Sequence, residues 1–243
     1  MRIPAIRGII DRRILVNFQI DADAMRRALP GPFRPKLVNG IAIGGICLIR
    51  LKRLRPAFLP LPFGLGSENG AHRIAVEWDD DGTHREGVYI PRRDTNSRFN
   101  YIAGGRLFPG IHHRARFTTR EQDDHYFVEL VSADDETHVR VEGRVTTDWP
   151  TGSVFSSLNE ASAFFETGAL GYSATHDPRT YDGLELACDT WHCDALDVND
   201  VESSYFEDDS RFPKGSVRFD CALLMRGIHH EWHSRRELCC AQP

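Results

Sequence analysis

Residues 125 to 145 read HYFVELVSADDETHVRVEGRV, and the period of this stretch decides the class of fold. Tyr126, Val128 and Leu130 alternate with Phe127 and Glu129, while Val139, Val141 and Val145 alternate with His138, Arg140 and Arg144. Successive side chains on a strand point to opposite faces, so a period of two marks a half-buried strand. Asp134-Asp135 supplies a turn between the two runs, and together they read as an antiparallel hairpin. Ile74, Val76 and Trp78 alternate in the same way with Arg73, Ala75 and Glu77, and further turn signals stand at Asp81-Gly82 and Asp123-Asp124. Helical signals are confined to two segments. One runs from Asp21 to Leu29 before Pro30; the other opens with the capping box Ser157-Leu-Asn-Glu160 and stops at Gly168. The expected architecture is mainly β (α+β), an antiparallel β-barrel or strongly curved sheet with a few short helices, forming one domain over residues 1–243. Barrels of this size offer an interior or a mouth to a small ligand.

Composition narrows the function classes. With 243 residues and 41% apolar content, the chain can bury one large core. The longest apolar stretch, IAIGGICLI at 41–49, falls far short of the roughly 20 residues that span a bilayer, and the charged start MRIPAIRGIIDRR lacks a small-residue cleavage site. A cytoplasmic location is expected. A net charge of −5 with both signs interspersed argues against a nucleic-acid footprint. The six cysteines lack CxxC spacing and read as free thiols. Of the 30 basic residues other than histidine, only Lys36, Lys52 and Lys214 are lysines, which restricts amine chemistry to three positions.

The segment 85–110, REGVYIPRRDTNSRFNYIAGGRLFPG, concentrates five arginines and no lysine. Gly87 to Pro91 reads as a short strand ended by proline, with Arg92 to Asn96 a polar stretch at its end. Arg85-Glu86, followed by Pro91-Arg92-Arg93, resembles the Arg-Glu, glycine-containing spacer and Pro-Lys-Lys motif of acetoacetate decarboxylases. VNFQIDADAMRRALPGPFRP at 16–35 resembles the strand, helix and Leu-Pro-x-Pro corner of that superfamily. SENGAHRIAV, RRDTNSRFN and AGGRLFPGIHH are similar still more closely to the DUF2071 group placed beside it, and the likeness extends from about Ile14 to Trp232. The resemblance implies an acetoacetate decarboxylase-like fold with a pocket for a small organic acid or keto compound. In the decarboxylases the first lysine of the pair forms a Schiff base. Arginine stands at both positions here, and a guanidinium that stays protonated cannot condense with a carbonyl.

An arginine fork can instead grip a carboxylate. Arg92 and Arg93 are therefore the leading ligand-binding candidates, with Arg98, Arg106 and Tyr89 beside them in the segment; structural pairing with Glu86 and Asp94 is the competing reading. For proton transfer the candidates are Glu86, Glu68 and His113. If residues 111–117 form a strand, His113 shares the apolar face with Ile111, Ala115 and Phe117, whereas His112 faces outward. Glu68 leads into a strand in which the decarboxylases carry a functional acid. His229, Glu231 and His233, or Cys188, His192 and Cys193, could suggest a metal, but neither cluster has HExxH or paired CxxC spacing, and no metal or cofactor is expected. Two classes fit: an enzyme, lyase-like but without Schiff-base chemistry, or a non-catalytic small-molecule-binding barrel acting as sensor or carrier. The expected partner is a small anion, a carboxylate or keto acid, with no nucleic acid and no membrane; a homo-oligomer is left open.

Overall fold

A computed structural model describes residues 5–58, 64–106 and 108–239. In chain order the elements are β1 (Ala5–Ile20), α1 (Ala22–Ala28), β2 (Arg34–Pro35), β3 (Leu37–Val38), β4 (Ile41–Pro56), β5 (Leu65–Asp80), β6 (Thr83–Thr95), α2 (Arg98–Ala103), β7 (His113–Gln122), β8 (His125–Ser132), β9 (His138–Thr146), α3 (Leu158–Thr167), β10 (Leu170–Ala174), β11 (Thr180–Cys188), β12 (Asp194–Ser203) and β13 (Val217–Cys239). The hairpin read from residues 125–145 is present as β8–β9, with Val128 opposite Val141 and Leu130 opposite Val139. Its turn places Asp135 at φ 59°, and the turns before β6 and β8 place Asp81, Gly82 and Asp123 at positive φ as well, a conformation that aspartate and glycine adopt more readily than most residues.

All thirteen strands belong to one sheet that closes on itself. From β13 the hydrogen-bonded neighbours run through β1, β4, β5, β6, β10 and β11 back to β13; a second circuit leaves β6 through β7, β8, β9 and β12 and rejoins β13. Strands β13, β1, β4, β5 and β6 are common to both, so this wall has two covered faces. That explains why IAIGGICLI shows no alternation: Ala42, Ile46 and Leu48 pack in one apolar cluster while Ile43, Cys47 and Ile49 pack in another. The two long strands β1 and β4 share an antiparallel register from Ile20 opposite Ala42 down to Ile6 opposite Pro56, interrupted by two bulges.

The two helices with sequence caps are present. Asp21 accepts the Ala24 N–H at 2.8 Å and Ser157 accepts the Glu160 N–H at 3.2 Å, each satisfying a backbone donor that the first helical turn leaves unpaired. The six-residue α2 was not foreseen, being too short to show a helical period; its signal is Ser97, whose hydroxyl accepts the Asn100 N–H at 3.2 Å. The strand read as ending at Pro91 continues to Thr95. Tyr89 pairs with Ile74 and Arg92 with His72, so the proline falls in a register shift where its missing N–H costs no ladder bond. Among the described residues the cysteines are free, and no helix is long and apolar enough to cross a membrane.

Candidate functional site: an arginine-lined cavity

Inside the seven-strand circuit lies a cavity of about 400 Å³. Its position follows from the register. Leu15, Cys47, Ala71 and Arg93 form one cross-strand row over β1, β4, β5 and β6, while Asn17, Gly45 and Arg73 lie in the row of the next same-facing residues. Arg13 lies two residues before Leu15 on β1. Because side chains two apart share a face, Arg13, Arg73 and Arg93 all reach the cavity.

None of the three has a carboxylate within ion-pair distance among the described residues. The Arg93 Nε donates to Ser173 Oγ at 2.9 Å. Arg73 donates to the Asn17 side-chain oxygen and lies over the Phe165 ring at 4.6 Å, and its Nε has no partner. Arg13 donates to Cys47 Sγ at 3.4 Å and faces the Trp191 ring at 5.6 Å. Burial lowers both Arg73 and Arg93 to about 10, although the negative field of Asp182 favours the Arg93 charge. Both stay cationic at neutral pH. Asp94, a residue at the cavity wall, is fully buried and directs its carboxylate to the Arg92 side of β6, where it receives hydrogen bonds from the Arg92 Nε and Nη2 at 3.0 to 3.2 Å. Burial of a polar group without a charge partner is costly, so three guanidiniums held by neutral acceptors and rings leave the cavity with positive charge to be neutralised.

Arg92 and Arg93, treated as a pair from sequence, are separated by the sheet. Val88 and Ile90 face the cavity; the extra residue at the Pro91 bulge reverses the alternation, so Arg93 rather than Arg92 continues that face. Arg92 points the other way and is enclosed by Asp94, Asp134 and Glu136, the last two at 2.8 and 2.7 Å. Burial alone would raise the Asp134 carboxyl, but hydrogen bonds from Ser132 and Arg92 hold it well below the usual range.

The other candidates also lie away from the cavity. Tyr89 is buried in an aromatic cluster with Phe33 and Tyr181. Glu86 is exposed and pairs with Lys36 at 2.9 Å, and Glu68 is held by Arg12 and Arg50, each at 2.5 Å. Arg98 and Arg106 are exposed. His113 corrects the expected facing: β7 begins at this residue rather than at Ile111, and its Nδ1 meets Asp134 at 3.1 Å. His112, in the coil before the strand, lines the cavity instead, with Nδ1 at 3.1 Å from the Gly110 carbonyl. Burial, aided by the Arg93 charge, lowers His112 to about 3, so its imidazole is neutral. No lysine lines the cavity: Lys36 lies against the Phe164 ring at 4.7 Å, Lys52 pairs with Asp11 at 2.8 Å, and Lys214 is exposed. Among the described residues no cluster of three or more metal-ligating side chains is present.

Arg13 and Arg73 escaped the sequence reading. Arg13 sits in the pair Arg12-Arg13, whose members face opposite sides of β1, and Arg73 falls on the polar register of an alternating strand whose outer face is not solvent but a second interior. The usable signal was Gly44-Gly45 opposite it, since a Cβ on Gly45 would stand 2.3 Å from the Val16 carbonyl and 3.3 Å from an Arg73 nitrogen.

A self-closing, strongly curved sheet of this kind is the fold of the acetoacetate decarboxylase-like structures. The solved acetoacetate decarboxylase of Legionella pneumophila superposes with a TM-score of 0.63 at 11% identity, covering 97% of this chain and 87% of that one. An acetoacetate decarboxylase-like enzyme from Sphingomonas wittichii gives 0.55 at 13% identity over 98% and 93% of the two chains, and the enduracididine biosynthesis enzyme MppR complexed with pyruvate gives 0.57 at 11% over 98% and 91%. Residues 10–219 match the model of DUF2071, described as an uncharacterized conserved protein, and the chain belongs to that family. Among curated proteins no sequence matches at a significant level.

Proposed function

We propose that the cavity binds a small organic anion, with Arg93, Arg73 and Arg13 holding its carboxylate. The observation that carries this reading is the absence of a carboxylate within ion-pair distance of any of the three among the described residues, Arg93 having only the longer-range field of Asp182 and the neighbouring Asp94 being engaged by Arg92. A bound carboxylate would supply the missing charge through bidentate hydrogen bonds, the strong form of this interaction. MppR is a relative in fold that has been obtained with a keto acid, pyruvate.

Binding without catalysis, as in a carrier or sensor, is the simpler form of this function. His112 supports a second reading, an enzyme acting without an imine: its neutral imidazole lines the cavity and can exchange a hydrogen bond with a bound ligand, as a polarising group rather than a strong base, because burial lowers it to about 3.

Titration calorimetry with pyruvate, benzoate and hexanoate tests the binding reading. Arg93→Lys keeps the charge but loses the fork, and should weaken the acid that binds by about 2 kcal/mol, roughly 30-fold, whereas Arg92→Lys should leave affinity within about threefold. Equal affinity of the Arg93 variant and the parent would refute the assignment.

A further inference from the structure

We infer that the ligand of this cavity is an amphipathic carboxylate carrying an extended apolar chain, rather than a compact keto acid; this rests on the anion-binding reading above. The cavity is elongated along β4. Cys47, Ile49 and Leu51 line it as alternate residues of the strand, and the register shift between Leu51 and Leu54 keeps Leu54 on the same face beyond Arg53, which sits at φ 54°. Cys47 to Leu54 spans on the order of 23 Å of strand.

The two ends differ in chemistry. Arg73 lies at the Gly45 row and Arg93 at the Cys47 row, both deep in the sheet, with the Arg13 nitrogen on Cys47 itself. The other end is bordered by Leu65 and Phe99, which are 49% and 45% exposed, a high value for large apolar side chains with no function at the surface. Leu184, Leu186 and Trp232 continue the apolar lining between the ends. Arg55 also lines the cavity beside Leu54, where it donates to the Arg53 carbonyl at 3.2 Å; three arginines gathered at one end, and a mainly apolar passage to the other, match a ligand with one charged head and one chain. The volume of about 400 Å³ agrees, since cavities of about 300 to 1,000 Å³ accommodate drug-sized ligands, whereas a three-carbon acid would leave most of the apolar wall uncovered.

Calorimetry with butyrate, hexanoate, octanoate and decanoate, alongside octanol, measures both parts of the inference. Affinity should rise about fourfold per methylene, as expected when each buried methylene contributes about 0.8 kcal/mol. Octanol should bind at least tenfold more weakly than octanoate. Leu65→Glu, at an exposed position that tolerates substitution, should weaken decanoate several-fold and leave butyrate unchanged. Butyrate binding as tightly as decanoate would overturn the chain while leaving the anion site intact. Octanol matching octanoate would overturn the carboxylate head, and failure of every acid to bind would remove both readings together.

Discussion

Arg92 and Arg93 are adjacent in sequence and separate in chemistry. Both carry the same fork, yet one is consumed by Asp94, Asp134 and Glu136, while the other donates to a serine hydroxyl and has no ion pair among the described residues. The residue types were legible in the sequence; their facing was not, because a single extra residue at Pro91 reverses every side chain after it. His112 took the place of His113 for a separate reason: β7 begins at His113, which leaves His112 in the coil before the strand. Arg92 thus has a structural task that can be measured. Arg92→Gln would strand the fully buried Asp94 without its cation, at a cost of about 3 kcal/mol in denaturant unfolding at pH 7. Burial already raises the Asp94 carboxyl, and in the variant the hydrogen bonds and charge of Arg92 no longer oppose that rise, which leaves the weaker field of His113 against it. A carboxyl raised in the folded state gives stability below its folded pKa that is lost as pH increases, so the deficit of the variant should shrink between pH 7 and pH 5. A deficit independent of pH would place the lost stability somewhere other than Asp94.

At the scale of elements, the strands and capped helices were readable and the bulges were not. Period two survives in β8 and β9, where the outer face meets solvent, and disappears in β4, where both faces are buried. Helices α1 and α3 announced themselves by Asp21 and Ser157, whereas α2 has one capping serine and six residues. Gly45 shows how a strand can be shaped by what it lacks. Its bare Cα lets Arg73 reach across β4 to Asn17, two strands away. Gly45→Ala would bring a methyl to 2.3 Å from the Val16 carbonyl oxygen, a backbone atom that cannot rotate aside. The expected loss is about 2 kcal/mol, the range of overpacked cores, read as a lowered urea midpoint with unchanged slope. Unaltered stability would mean that β1 and β4 separate easily there, contrary to the unbroken register that they hold from Arg12 opposite Arg50 to Ile20 opposite Ala42.

At the scale of the whole molecule, the lysines stand apart from the arginine cavity. The three lysines are distributed to a recess behind Phe164, an exposed pair with Asp11 and an exposed turn, and the cavity is lined by arginine alone among long cations. Borohydride reduction in the presence of acetoacetate or pyruvate should therefore leave the intact mass unchanged; a covalent adduct on Lys36, Lys52 or Lys214 would contradict the assignment. Mainly β architecture was legible from the hairpins, but closure into two circuits was not, since it depends on β1 and β11 meeting β13 and on β10 meeting β6 across long stretches of chain. Sharing the wall has a consequence for cooperativity. Strands β1 and β4 are flanked by partners on both edges and covered on both faces, so neither compartment can open without exposing the lining of the other. The amide protons of these two strands should belong to the last unit of the protein to exchange with solvent, and whatever occupies the arginine cavity is then held by the part of the chain that opens least often.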